Sequence, residues 1–170
     1  PIIAVGDTQE HHPTGYPLFT LLAGIWSWLP IGDGIFRLNV FAAVCAAVGA
    51  GFFVDAIWNV LGLGPVKKPS GKKAVPAAGA DQARLIAAVI GGLAIAFSRT
   101  YWRTALSVEV YALHMLMLAL LLWSIARLLL AMQVPELRQS VSRRAMLLAL
   151  FLGLSFANHM STIFLLPALL

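Results

Sequence analysis

The sequence predicts an all-α fold, a polytopic bundle of transmembrane helices with one interfacial helix. Three observations carry that prediction. Of the 170 residues, 60% are hydrophobic and 11% charged, against about 25% charged residues in a soluble globular domain. The mean hydropathy is +0.85. The apolar residues are also not scattered: they form runs of the ~20 residues that cross a bilayer. An ordinary soluble enzyme, a disordered tail and a disulfide-built secreted module are excluded together.

The elements follow in chain order as one transmembrane unit over residues 1–170. Residues 1–37 read as an external loop with an interfacial helix. Leu18 to Leu29 is apolar but only about a dozen residues long, and Trp26 and Trp28 favour the interface. The first span is 38–63, interrupted only by Asn39, Asp55 and Asn59. A basic loop at 64–82 follows, with three Pro, three Gly and four Lys, a composition that punctuates helices. The second span, 83–102, uses Tyr101 and Trp102 as interface anchors, and the third occupies 105–132. Gln133 to Arg144 reads as a shorter basic linker. The fourth apolar stretch, 145–170, carries polar breaks at Asn158-His159 and Ser161-Thr162, so one span and a helical hairpin both fit. Residue 1 is Pro and the last residues stop inside an apolar run; a piece of a longer protein is expected.

A net charge of +5 raises nucleic acid as a partner, but the distribution argues against it. Lys67, Lys68, Lys72, Lys73 and Arg84 occupy one polar gap, and Arg127, Arg138, Arg143 and Arg144 another. These nine of the twelve Lys and Arg flank spans, as positive-inside loops do. The membrane-facing partner is therefore the lipid bilayer. Cys45 is the single cysteine and can form no internal disulfide.

With both basic loops cytoplasmic, the turn at Ser98–Thr104 and residues 1–37 lie outside. Asp7, Glu10, His11, His12, Arg99, Arg103, Glu109 and the pair Asn158-His159 then fall on or near one outer face. Ionisable groups beside spans are costly and mark functional sites. No spacing of His, Cys or carboxylates argues for a divalent metal, and no other cofactor is evident.

Four strings in order sharpen this picture: His12-Pro13-Thr14-Gly15-Tyr16-Pro17-Leu18-Phe19, then IFRLNVF, then YWRTALSVEVYAL around Glu109, then GLSFANHMSTIFLLPALL around Asn158-His159. Together they resemble a family of multi-pass proteins related to protein O-mannosyltransferases, formerly a domain of unknown function. That family is similar to the membrane glycosyltransferases of the GT-C superfamily. The resemblance runs from Gly6 to Leu170, apart from the Lys-rich loop. It implies an enzyme that moves a mannose-like hexose from a polyprenyl-phosphate-linked sugar to a protein or lipid acceptor on the outer or lumenal face, with inversion. Such a reaction needs a base for the acceptor hydroxyl and cations or donors for the leaving phosphate.

Glu109, which matches the EVYAL position, is then the leading catalytic candidate, as base or as positioning group, with Asp7 and Glu10 behind it. His12, Tyr16, Arg99, Arg103, Asn158 and His159 are candidates for binding donor phosphate or substrate. Similar proteins carry an acidic motif, with Asp and Glu close to a glycine, before the HP-x-GYPL string; no DxGE-like string occurs here, so that motif and a first span are expected upstream of Pro1. His114, one turn inside Glu109, reads as an interhelical hydrogen-bonding group. The rival readings are a transporter and a lipid-carrier-binding subunit without catalysis. A transporter would show repeats and midplane polar groups, which this sequence does not. The composition points to a bacterial inner membrane, with the endoplasmic reticulum as the alternative.

Overall fold

The computed structural model describes residues 16–63 and 79–168, and among them every regular element is helical. The chain runs α1 (Pro17–Trp26), α2 (Gly34–Val60), α3 (Ala80–Ala96), α4 (Arg99–Ala105), α5 (Val110–Gln133), a 3₁₀ segment (Pro135–Ser140), α6 (Val141–Asn158) and a second 3₁₀ segment (Met160–Ala168). Three helical stretches are long and apolar enough to cross a membrane: α2, α5, and the first 3₁₀ segment with α6. The pair α3–α4 makes a fourth if counted as one broken span. The all-α membrane bundle expected from composition is the fold observed.

Local chemistry sets the helix ends. Asp33 accepts the Phe36 N–H at 2.7 Å and caps α2, satisfying one of the four orphan donors of a helix start. Arg37 ties the preceding turn down, donating to the carbonyls of Ser27, Ile31 and Gly32. Pro17 stands at the start of α1, where a missing N–H costs nothing. Pro135, just past the C-cap Val134, stops α5.

Two expected spans have different ends. The stretch 83–102 is broken at Phe97-Ser98: Ser98 is extended, its hydroxyl accepts the Tyr101 N–H, and α4 leaves α3 at 65°. The stretch 105–132 becomes α5 only from Val110, with Glu109 extended as its N-cap. Both boundaries fall among polar residues, Ser98-Arg99-Thr100 and Ser107 to Glu109, but hydropathy alone does not show whether the chain bends there or runs on as helix. In 145–170, α6 ends at Asn158 and the chain continues as 3₁₀ helix.

Helix directions follow from which residues meet. Phe41, Ala42 and Cys45 pack with Ala112, Leu113 and Met117; further on, Ala46 and Phe53 pack with Ala119. The residue numbers rise together, so α2 and α5 run parallel at the centre of the bundle. α6 is antiparallel to α5, since Arg144 reaches the Arg127 carbonyl while Ser161 reaches His114. α3 is antiparallel to α2, with Arg84 on the Trp58 carbonyl and Gly92 against Val54. Small residues let the central pair approach, as in membrane helix packing generally. A Cβ on Gly49 would lie 3.3 Å from the Leu116 Cα and 2.9 Å from the Tyr101 hydroxyl.

Tyr101 is not an interface anchor but a buried strut, 4% exposed, donating to the Ala46 carbonyl at 2.6 Å. The bend before α4 turns it inward. α1, at ten residues only about 15 Å long, does not span. Its Leu18, Phe19, Leu22 and Trp26 pack on the core formed by α2 and α5.

Candidate functional site

Because α2 and α5 are parallel and α3 and α6 oppose them, one end of the bundle collects α4, the start of α5, the end of α6 and the residue before α1. A cleft of about 690 Å³ opens there, walled by Arg99, Thr100, Arg103 and Thr104 from α4, by Ser107 and Glu109 from the connection, and by Tyr111, His114 and Met115 from α5. Arg99 and Arg103 stand four residues apart on a helix and so share a face. Both are exposed, and neither forms an ion pair with a described residue. The Glu109 carboxylate is also exposed and makes no capping bond to its own helix. Two guanidinium groups and a carboxylate therefore border one cleft with their polar atoms uncommitted.

His159 stands against this wall. Its ring stacks on Tyr16 with centroids 5.5 Å apart and planes 16° apart, and meets Tyr111 at 5.7 Å and His114 at 5.0 Å. His159 Nδ1 accepts the backbone N–H of Ser161 at 3.1 Å, so the hydrogen-bond pattern assigns the ring proton to Nε2. The Ser161 hydroxyl lies 2.7 Å from the same Nδ1 and 3.0 Å from His114 Nε2. An unprotonated Nδ1 requires the hydroxyl to donate there and to accept from His114 Nε2–H. The chain His114 to Ser161 to His159 thus fixes both tautomers. It leaves His159 Nε2–H as a donor and His114 Nδ1 as a buried acceptor without a partner among the described residues. Beneath it, Ser155 and Thr162 hydroxyls meet at 2.7 Å and Thr162 donates to the His159 carbonyl at 2.9 Å.

The expected site residues separate into three groups. Glu109, Arg99 and Arg103 border the cleft, and Tyr16 and His159 stack together beside it. Asn158 is 1% exposed, does not line the cleft, and has neither side-chain oxygen nor nitrogen bonded to a described residue. Asp7, Glu10, His11 and His12 lie outside the described residues. Among the described residues no group of three His, Cys, Asp or Glu could hold a metal ion.

The reading of residue types alone missed Tyr111 and Ser161. Ser161 was legible only as part of a polar break; its link to His114, 47 residues away, has no sequence signal. His114 makes the interhelical hydrogen bond expected of it and also lines the cleft.

Fold and cleft define a class: a multi-pass helical membrane protein with a charged, aromatic-walled cleft at one end of its bundle. Within that class the family is specific. Residues 2–170 match the family described as protein O-mannosyl-transferase TMEM260 N-terminal domain, and the chain belongs to it. It is 29% identical over 122 residues to the mouse (Mus musculus) protein named protein O-mannosyl-transferase TMEM260, an alignment covering 71% of this chain. The matched region spans 14% of that relative's length. No solved structure matches the chain.

Proposed function

We propose that this chain forms part of a membrane glycosyltransferase of GT-C type. It would move a mannose-like hexose from a polyprenyl-phosphate-linked donor to a protein or lipid acceptor on the outer or lumenal face. The observation that carries the proposal is the gathering of Arg99, Arg103 and Glu109, from two helices and their connection, around one cleft of about 690 Å³. The mouse relative's name gives the sugar class.

In this mechanism the acceptor hydroxyl oxygen attacks the anomeric carbon from the face opposite the phosphate. The bond from that carbon to the phosphate oxygen breaks, and the polyprenyl phosphate leaves with the electron pair. The hydroxyl proton passes to a carboxylate. Glu109 is the carboxylate that borders the cleft, and it holds or deprotonates the acceptor; Asp7 and Glu10 are the other acids assigned to the same face. Arg99 and Arg103 carry the charge complementary to the leaving phosphate. His159, locked as a Nε2–H donor, positions substrate with Tyr16 rather than acting as base. The asymmetry of the bundle supports the lipid-linked donor, since the cleft lies at the end of the spans where a phosphate can stay at the interface while its tail remains in the bilayer. The mouse relative lends no support to a bacterial inner membrane, and the endoplasmic reticulum is the membrane we favour.

The test is transfer by the full-length protein in liposomes. Radiolabelled mannose on a polyprenyl phosphate should appear on a protein or lipid acceptor with inverted configuration. Labelled solute crossing the membrane without transfer would instead establish the transporter reading.

Sidedness is tested separately by single cysteines. At Lys68 a membrane-impermeant maleimide should react only from the cytoplasmic side, and at Thr100 only from the opposite side. Cys45 is 4% exposed and gives little background. Labelling of both positions from one side would sink the arrangement.

A further inference from the structure

The opposite end of the bundle gathers a second group of cations. Arg127 lies sixteen residues along α5 from Tyr111, about 24 Å at the helical rise. There α5, the 3₁₀ segment and α6 enclose a cavity of about 220 Å³, whose lining includes Trp123, Arg127, Ser140, Arg143, Arg144 and Leu147. Three arginines thus line one small volume. One carboxylate adjoins them: Asp55 lies 3.9 Å from Arg127 Nη1 and accepts the Trp123 indole N–H. An ion pair that long and half-exposed neutralises little. Arg144 is held in place, its Nε donating to Ser140 Oγ at 2.9 Å and its Nη1 to the Arg127 carbonyl at 2.8 Å. Arg143 makes no hydrogen bond or ion pair with a described residue and is exposed. An oriented guanidinium beside a free one is the donor arrangement that suits phosphate.

The apolar surroundings narrow the source of that phosphate. From Arg143, the positions three, four and seven residues on share its face of α6: Met146, Leu147 and Leu150, which are 71%, 42% and 54% exposed. The span containing α6 buries only 6% of its most apolar window against the described residues, which leaves this face open to acyl chains. Basic pockets between transmembrane helices bind anionic headgroups on these terms.

We propose that the Arg127–Arg143–Arg144 cavity binds the phosphate of an anionic membrane phospholipid, whose acyl chains lie along Met146, Leu147 and Leu150. The site is separate from the cleft, and its occupancy can be read without any turnover.

The experiment is native mass spectrometry of the full-length protein in non-ionic detergent, titrated with phosphatidylglycerol or phosphatidylcholine. The wild type should retain phosphatidylglycerol about tenfold better than phosphatidylcholine, and Arg143→Gln should remove most of that preference. Arg143→Lys should restore part of it, because a point charge replaces the fork. Arg143 is exposed, so the Gln variant folds. Millimolar inorganic phosphate should fail to displace the lipid. Equal retention of the two lipids, or a preference unchanged by Arg143→Gln, would overturn the proposal. Displacement by inorganic phosphate would overturn the lipid assignment in favour of a soluble anion.

Discussion

Glu109→Gln in the full-length protein is expected to lower hexosyl transfer about 100-fold, the scale of losing a positioned acid–base group, with no loss of folded protein. The two halves of that expectation have separate grounds. Glu109 is exposed at the N-cap of α5, and its carboxylate neither caps the helix nor pairs with a described cation. Gln keeps the shape and the extended backbone, so the fold loses only a favourable charge near a helix N-terminus, about 0.5 kcal/mol. The cleft loses its bordering carboxylate. A fall in kcat at constant acceptor KM identifies a base; a rise in acceptor KM identifies a group that holds the hydroxyl. Unchanged kcat and KM would remove Glu109 from the mechanism and pass the role to an acid outside the described residues.

The second large effect is expected from the cations. Charge-assisted hydrogen bonds contribute about 1.5–3 kcal/mol each, so Arg99→Gln and Arg103→Gln should each reduce kcat/KM for the lipid-linked donor roughly 10- to 100-fold. The double variant should fall less than the product of the two, because neighbours on one helix face act on one phosphate. Lys at either position should recover part of the loss, since charge survives without the bidentate geometry. Neither arginine pairs with a described residue, so a stability defect is not expected, and thermal unfolding would show it. Donor kinetics unchanged in the double variant would mean that the leaving phosphate is met elsewhere.

Arg99, Arg103 and Glu109 were assigned to one face by a charge argument about loops, and the structure places them around one cleft. That step works because a bilayer allows only two sides, so parity of the spans groups distant residues. It fails for Tyr101, whose aromatic ring beside Trp102 looks like an interface anchor but is turned inward by a bend at Ser98. The bend is a capping event at the polar end of the apolar run, and hydropathy does not say which way the ring beyond it turns.

The same limit applies to Asp55, which lies in the first span next to nothing in sequence that explains it, and whose partners Trp123 and Arg127 come from α5. It applies again to Ser161, which joins two histidines.

The sequence by itself determined the membrane class and the helical fold, because burial of backbone polar groups in lipid leaves few alternatives. Only the tertiary structure decided which polar atoms meet. Contacts such as Ser161 with His114, or Arg144 with Arg127, depend on the parallel register of α2 with α5 and the antiparallel return of α6. That register is set by the close approach of small residues such as Ala46 and Gly49, a packing choice made between helices rather than along any one of them.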